Sequence, residues 1–200
     1  MHLPDGFVSG PINVTTCVAS AAVCAVALHR ARQTMGDRQI PLVGVTAAFV
    51  FAAQMLNFPI AGGTSGHFMG AALTAILMGP LNATLVLALV LAIQCLMFAD
   101  GGITALGTNI FNMGIVGGFG AYGFFVVARA LLPKRPLGYL AAVALASWGS
   151  IVLASAACAV ECADSFARIP FFDRTARRRG ADHADERARR PAAPARGRIA

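Results

Sequence analysis

Residues 81–98 read LNATLVLALVLAIQCLMF, a run without a single charged side chain. It lies inside a longer stretch, from Gln39 to Ala99, that contains no Lys, Arg, Asp or Glu. A soluble domain cannot cover its surface with such a stretch, whereas a bilayer span needs only about 20 apolar residues. With 57% hydrophobic and 12% charged residues overall, the chain is predicted to be an integral membrane protein.

Hydropathy divides the chain into six apolar segments, and all six are predicted to be helices. Lipid offers no partner to backbone polar groups, and no segment alternates as a barrel strand would. The predicted fold class is therefore an all-α, polytopic transmembrane helix bundle with about six spans. The third segment is short and follows a glycine-rich stretch, which predicts a loop that dips into the membrane. The segments are residues 11–28, 40–56, 66–78, 81–98, 103–128 and 137–160.

Basic residues cluster in two of the connections between segments, and they predict the orientation of the spans. Both connections fall on one side of an alternating bundle, which is predicted to be the cytoplasmic side. The amino terminus, residues 57–66 and residues 99–102 then share the outer face of a multi-pass protein in the cell (inner) membrane. The basic residues are Arg30, Arg32 and Arg38 in the first connection and Arg129, Lys134 and Arg135 in the last.

The chain opens with MHLPDG at residues 1–6, and its first two residues can chelate a metal ion. No signal peptide is expected ahead of Met1. Because His2 is a large second residue, Met1 is expected to be retained with a free α-amine. That amine, the His2 amide nitrogen and the His2 ring Nδ1 can share one plane around a metal. Square-planar nitrogen coordination favours Ni(II) or Cu(II) over Zn(II), and one further nitrogen would complete the square.

His67 is the histidine best placed to supply that further nitrogen. It follows a glycine-rich stretch in uncharged surroundings, and an ionisable residue in a membrane segment is a functional candidate by default. Composition alone leaves a ligand role and a structural hydrogen-bonding role open, and the outer face shared with His2 favours the ligand role. His29 beside Arg30 is typical of a helix end, and His183 lies in a charged tail.

Five short motifs in this sequence resemble the CbiM/NikM family, the substrate-binding (S) subunits of energy-coupling factor transporters for cobalt and nickel. The resemblance covers residues 1 to about 160. It implies that the amino-terminal loop inserts into the helix bundle from the outer face. It also implies that the Met1 amine, the amide and ring nitrogens of His2 and the ring of His67 hold the ion. The motifs are MHLPDG at 1–6, NFP at 57–59, GGTSGH at 62–67, DGG at 100–102 and NIFNMG at 109–114.

The resemblance further implies capture of Ni(II) or Co(II) from outside the cell for ATP-driven uptake, with no cofactor beyond the transported ion. The implied partners are a transmembrane coupling subunit and two ATPase subunits, with a small accessory membrane subunit as a further candidate. The chain contains no Gly-x-x-x-x-Gly-Lys loop, so it is predicted to be a transporter subunit without its own ATPase and not an enzyme.

Ligating histidines usually donate their second ring proton to a fixed acceptor. Several polar residues on the predicted outer face could accept it or support the loops, and the sequence does not rank them. These candidates are Asn57, Thr64, Ser65, Asp100, Asn109 and Asn112.

The net charge of +7 is concentrated at the carboxyl end, where ten of the sixteen basic residues occupy the last forty positions. The body is nearly neutral, so the charge does not indicate a nucleic-acid partner. Two regions are predicted: a transmembrane metal-binding domain, residues 1–160, and an Arg-rich, disordered tail, residues 161–200. The family would continue with a further apolar helix, and its absence suggests a change of reading frame or a truncation.

Two other functions fit parts of the pattern. Ser65 in a Gly-x-Ser-Gly loop, with His67 reaching back as its base, would make an intramembrane serine protease. A passive metal channel or a copper-handling protein could use the same amino-terminal chelate, and uptake without any ATPase partner would distinguish the channel.

Overall fold

The computed structural model describes residues 2–37, 39–60 and 64–168, without the side chains of residues 59, 60, 64, 65 and 166–168. Six helices and one short hairpin make up this part of the chain. In chain order they are α1 (Gly10–Thr34), α2 (Gln39–Gln54), β1 (Phe58–Ile60), β2 (Thr64–Gly66), α3 (Ala71–Met78), α4 (Pro80–Phe98), α5 (Leu106–Leu131) and α6 (Pro136–Arg168).

The helices confirm the predicted all-α transmembrane bundle. Four of them, α1, α4, α5 and α6, are long and apolar enough to cross a membrane, and α2 is a shorter apolar helix. Their buried side chains form an apolar core that includes Val50 of α2, Leu87 and Leu91 of α4, and Met113 of α5. Many large apolar side chains remain exposed on the outside of the bundle, as expected where lipid takes the place of water.

The third predicted segment is shorter than residues 66–78. Its helix, α3, begins only at Ala71 and has 8 residues, which corresponds to about 12 Å at 1.5 Å per residue. Gly70 has a φ of +81°, and a Cβ there would lie 2.6 Å from a methyl carbon of Val50. Only glycine therefore permits the chain to turn into α3 this close to α2.

A hairpin of two three-residue strands replaces the first part of that segment. Strands β1 and β2 pair in antiparallel register, with Phe58 opposite Gly66 and Ile60 opposite Thr64. The tip of the hairpin, residues 61–63, lies outside the described residues. The pairing satisfies the backbone groups that the two strands turn toward each other, in a segment that does not form a helix.

A tight turn at the end of α4 positions Asp100. Ala99 adopts a left-handed conformation with a φ of 53°, and the Asp100 N–H donates to the carbonyl of Gln94 at 3.1 Å. This closure is typical of helix carboxyl ends. It turns the chain back across the end of the bundle, where residues 100–105 lead into α5.

Helix α5 contains a π-helical segment, Ile110–Val116, that the sequence analysis did not predict. Before it, α5 packs tightly on α1: Ser20 Oγ donates to the Gly107 carbonyl at 2.7 Å. A Cβ at Gly107 would lie 2.6 Å from the Cα of Cys17. Small residues that allow close helix contact are characteristic of membrane bundles.

Helix α6 packs along α5 and continues to Arg168. The predicted boundary at residue 160 therefore falls inside a helix. Glu161 and Ser165, which follow that boundary, are buried at 8% and 0% exposure. Residues 169–200, which make up most of the predicted tail, lie outside the described part of the chain.

Candidate metal centre

The amino-terminal segment, residues 2–9, lies across the end of the bundle and is held there by Asn109 of α5. The Leu3 N–H donates to Asn109 Oδ1 at 2.8 Å, and Asn109 Nδ2 donates to the Leu3 carbonyl at 3.2 Å. The same carbonyl accepts the Gly102 N–H at 2.9 Å. One carboxamide thus binds both backbone groups of the residue next to His2.

Asp5 provides a second attachment, to the start of α5. Its Oδ1 accepts the Thr104 N–H at 2.8 Å and the Thr104 hydroxyl at 2.6 Å. These two donors hold the pKa of the exposed Asp5 carboxyl below its ordinary value. Gly102 packs against the Asp5 backbone nitrogen so closely that a Cβ would overlap it.

Apolar contacts complete the docking of this segment. Leu3 and Val8 are 6% and 8% exposed and pack with Ala105 and with Cys158 and Cys162 of α6. Further along, the Ser9 N–H donates to Ser165 Oγ at 2.8 Å. The predicted insertion of the amino-terminal loop into the bundle is therefore confirmed.

The two histidines singled out in the sequence meet at this end of the bundle. The ring centroids of His2 and His67 lie 4.9 Å apart, with an angle of 63° between the ring planes. His67 follows β2, and the hairpin carries it to the docked amino-terminal segment. Residues 65 positions apart in the chain are thus brought close enough to share one ion.

The tautomer of His67 suits metal binding. Its Nδ1 lies 2.9 Å from the Phe68 carbonyl, which can only accept a hydrogen bond, so the ring proton belongs on Nδ1. The lone pair then belongs to Nε2, the nitrogen that a metal would use. Burial lowers the pKa of His67 below its ordinary value of 6.5, although the Phe68 carbonyl opposes the shift.

His2 is buried, and Asp100 contacts its ring. His2 Nδ1 lies 2.9 Å from Asp100 Oδ1, an ion-pair distance without good hydrogen-bond alignment, and the side chains are 6% and 32% exposed. Burial lowers the pKa of His2, and the negative charge of Asp100 partly offsets this. His2 Nε2 is buried and has no hydrogen-bond partner in the described part of the chain.

The contact with Asp100 bears on the chelate predicted from the sequence. That chelate uses Nδ1 of His2, the nitrogen that faces Asp100 in this structure. In such a chelate, Asp100 and the ion would compete for the same nitrogen, and binding would require this contact to open. Met1, whose amine is the remaining donor of the chelate, lies outside the described residues.

The other candidate residues differ in position. Asn109 holds the amino-terminal segment, whereas Asn112 Nδ2 donates to Glu161 Oε2 of α6 at 2.6 Å, and Asn57 is exposed. The side chains of Thr64 and Ser65 lie outside the described residues. The protease interpretation requires a contact between His67 and the Ser65 side chain, so it cannot be assessed from the described residues.

Glu161 is a buried residue that the sequence analysis missed. It was assigned to the tail because composition changes near residue 160. The available signal is an acidic residue at the end of a long apolar helical run, since ionisable residues in membrane segments usually face the bundle interior. Its partner Asn112 belongs to the π-helical segment of α5, a type of irregularity often found at functional sites.

Within the described residues, no group of three His, Cys, Asp or Glu side chains is arranged to hold a metal ion. The donor set predicted from the sequence takes part of its nitrogens from the backbone and the amino terminus. Such a set needs only two side-chain rings, which the structure brings together as His2 and His67.

Comparison with protein families gives a match over most of the chain. Residues 2–176 match the CbiM family, described as the cobalt uptake substrate-specific transmembrane region. Among solved structures, a truncated transition metal transporter superposes with a TM-score of 0.74 at 35% sequence identity, covering 81% of this chain and 74% of that one.

Individual relatives include proteins named for both metals. A NikMN protein of Archaeoglobus fulgidus is 46% identical over 161 residues, which cover 80% of this chain and 52% of the relative. The fused nickel transport protein NikMN of Rhodobacter capsulatus is 39% identical, covering 58% and 34%. The cobalt transport protein CbiM 1 of Pelobacter propionicus is 41% identical, covering 65% and 58%. The chain thus spans between about one third and three fifths of the length of these relatives.

Proposed function

The chain belongs to the CbiM family of cobalt-uptake transmembrane proteins, and from this premise we propose that it captures Ni(II) or Co(II) for energy-coupled uptake. It would act as the substrate-binding subunit of an energy-coupling factor transporter in the cell (inner) membrane, with its amino terminus on the outer face. A transmembrane coupling subunit and two ATPase subunits would supply the driving force, with an accessory membrane subunit as an optional further component.

One observation carries the proposal: His2, with a buried side chain, and the half-buried His67 meet edge to face at one end of a transmembrane bundle, with ring centroids 4.9 Å apart. The proposed donors are the Met1 amine, the His2 amide nitrogen, the His2 ring and the His67 ring. Four nitrogens in a plane suit Ni(II), and this donor set does not by itself exclude Co(II).

The surrounding contacts support a capture role. Asn109 and Asp5 fix the amino-terminal segment, and the Phe68 carbonyl fixes the tautomer of His67. Such supporting hydrogen bonds orient the ligands before the ion arrives. The partly exposed Asp100 carboxylate, next to His2, would attract a hydrated cation to the site and release Nδ1 as the ion binds.

The proposed sequence of events follows from these positions. A hydrated ion enters from the outer face and exchanges water for nitrogen donors, and the His2 amide releases its proton. The hairpin formed by β1 and β2 closes over the ion. Movement driven by the partner subunits then opens the site toward the cytoplasm. In this proposal, the chain binds and orients the ion, and ATP hydrolysis takes place in the partners.

Uptake into vesicles tests this proposal. The purified chain is reconstituted alone or with the coupling and ATPase subunits, ATP is enclosed, and radioactive nickel or cobalt is added outside. The chain alone is expected to bind the ion without accumulating it, and the full assembly is expected to accumulate it. His67→Gln should abolish accumulation, and His29→Gln, at an exposed position of α1, should not. Entry of the ion through the chain alone, up to equal concentrations on both sides, would instead support a passive channel.

A further inference from the structure

Two glutamines in the membrane-spanning core have polar groups with no hydrogen-bond partner among the described residues. Gln54 of α2 and Gln94 of α4 are both 0% exposed. Gln54 Nε2 donates to the Met69 carbonyl at 2.7 Å. Gln54 Oε1 and both amide atoms of Gln94 have no hydrogen-bond partner in the described part of the chain. Burying such groups without partners is costly, so each of them marks a position at which a polar ligand would be stabilised.

Hydrogen bonds connect both glutamines to residues that neighbour the histidine pair. The carbonyl that Gln54 binds belongs to Met69, two residues after His67. The backbone carbonyl of Gln94 accepts the N–H of Asp100, whose carboxylate contacts His2. Gln54 is the last residue of α2, and Gln94 lies one turn before the end of α4. The carboxamides therefore occupy the layer of the bundle next to the histidines.

On α2 and α4, the turn that precedes each glutamine is apolar on its buried side. Val50 lies one turn before Gln54 on α2, and Val90 and Leu91 lie one turn before Gln94 on α4. These side chains belong to one buried core cluster, together with Leu87 and Met113. The glutamines are thus the innermost polar groups of α2 and α4 before this apolar core begins.

We propose that Gln54 and Gln94 form a second, weaker binding position for a partly hydrated divalent transition-metal ion. The inference rests on the proposed function only for its direction: an ion leaving the nitrogen donors inward would pass to this position. Carboxamide oxygens are neutral donors and bind Ni(II) and Co(II) more weakly than imidazole and amide nitrogens. Weak binding is what a transit position needs, because an ion must be able both to enter and to leave.

The test uses the full chain with one extra residue before Met1 and with His67→Gln, which together remove the terminal chelate and the histidine pair. Binding of Co(II) and of Ni(II) is measured by equilibrium dialysis with elemental analysis. Saturable binding of about one ion per chain is expected in roughly the millimolar range. Gln94→Leu should abolish it, and Gln94→Glu, which adds a negative charge, should tighten it by about tenfold or more. Gln39→Leu, at an exposed glutamine, is the matched control and should change nothing.

The variants also separate a binding role from a structural one. Gln94 makes no side-chain hydrogen bond in the described part of the chain, so Gln94→Leu should not lower the thermal stability of the ion-free protein. If the leucine variant nevertheless fails to fold, the glutamate variant decides the question. The proposal is overturned by an extended chain that shows no saturable binding, or by binding that both Gln94 variants leave unchanged. Loss of tight binding by the chain with its native amino terminus would instead overturn the proposed function.

Discussion

At the scale of single residues, the candidate site depends as much on hydrogen-bond donors and acceptors as on the histidines. Asn109 binds both backbone groups of Leu3 through one carboxamide. The sequence analysis included Asn109 among six candidates without ranking them. The sequence alone cannot rank the six, because only the docked conformation of the amino-terminal segment shows which polar side chain contacts it.

Asn109→Ala should weaken metal binding without disrupting the bundle. The substitution removes both hydrogen bonds to Leu3 and leaves the position of the adjacent His2 less well defined. Loss of a supporting contact of this kind typically costs about 10- to 100-fold in metal affinity. Titration calorimetry with Ni(II) measures the effect. Asn82→Ala is the control, because Asn82 binds the Met78 carbonyl at the opposite end of α4. Equal Ni(II) affinities in both variants would show that the hydrogen bonds from Asn109 to Leu3 do not position the metal-binding residues.

The pH dependence of binding should reflect the lowered pKa of both rings. Burial keeps His2 and His67 neutral below their ordinary pKa of 6.5, so protons compete for the rings only at lower pH. Near pH 7 the ion displaces about two protons, one from the terminal amine and one from the His2 amide. Affinity should therefore fall by roughly 100-fold per pH unit near pH 7, and more steeply still below the ring pKa values.

Calorimetry in buffers of different ionisation enthalpy measures the number of protons released at each pH. A release that already includes the ring protons at pH 6.5 would show that the rings are not buried as described. An affinity independent of pH would exclude the amide nitrogen as a donor.

At the scale of elements, the sequence predicted the helices well and the irregular segments poorly. Long apolar runs identify α1, α4, α5 and α6, because a single segment in lipid can satisfy its own backbone hydrogen bonds only as a helix. The hairpin of β1 and β2 and the π-helical segment of α5 depend on contacts between elements, as between Asn112 and Glu161. Composition alone does not contain those contacts. For His2 and His67, the sequence predicted that both lie on the same face of the membrane, but not that their rings are in contact.

Gly102→Ala tests whether docking of the amino-terminal segment creates the site. The new Cβ would overlap the backbone nitrogen of Asp5, so the segment must shift. Overpacking of this kind costs about 1–3 kcal/mol, equivalent to a roughly 5- to 150-fold loss of metal affinity if it opposes docking. Gly123→Ala is the control, since a Cβ there meets nothing within 4 Å. Unchanged Ni(II) affinity in Gly102→Ala would show that the observed docking is not required.

At the scale of the whole molecule, the polar candidate site and the apolar core occupy different levels of the bundle. The amino-terminal segment, the hairpin and the turn after α4 meet at one end, where they assemble the histidine pair. The apolar core around Leu87, Leu91 and Met113 occupies the interior beyond the two buried glutamines. This arrangement favours capture from one side, with passage of the ion left to a movement that the partner subunits would drive.

The central claim is that the amino terminus itself binds the ion. The most direct test is elemental analysis of two purified proteins after exposure to Ni(II) and Co(II): one with its native Met1-His2 terminus and one with an extra residue before Met1. The account predicts about one tightly bound ion per chain in the native protein and none held as tightly in the extended protein. Equal, tight binding by both proteins would contradict it and would assign His2 and His67 to a structural role or to a different site.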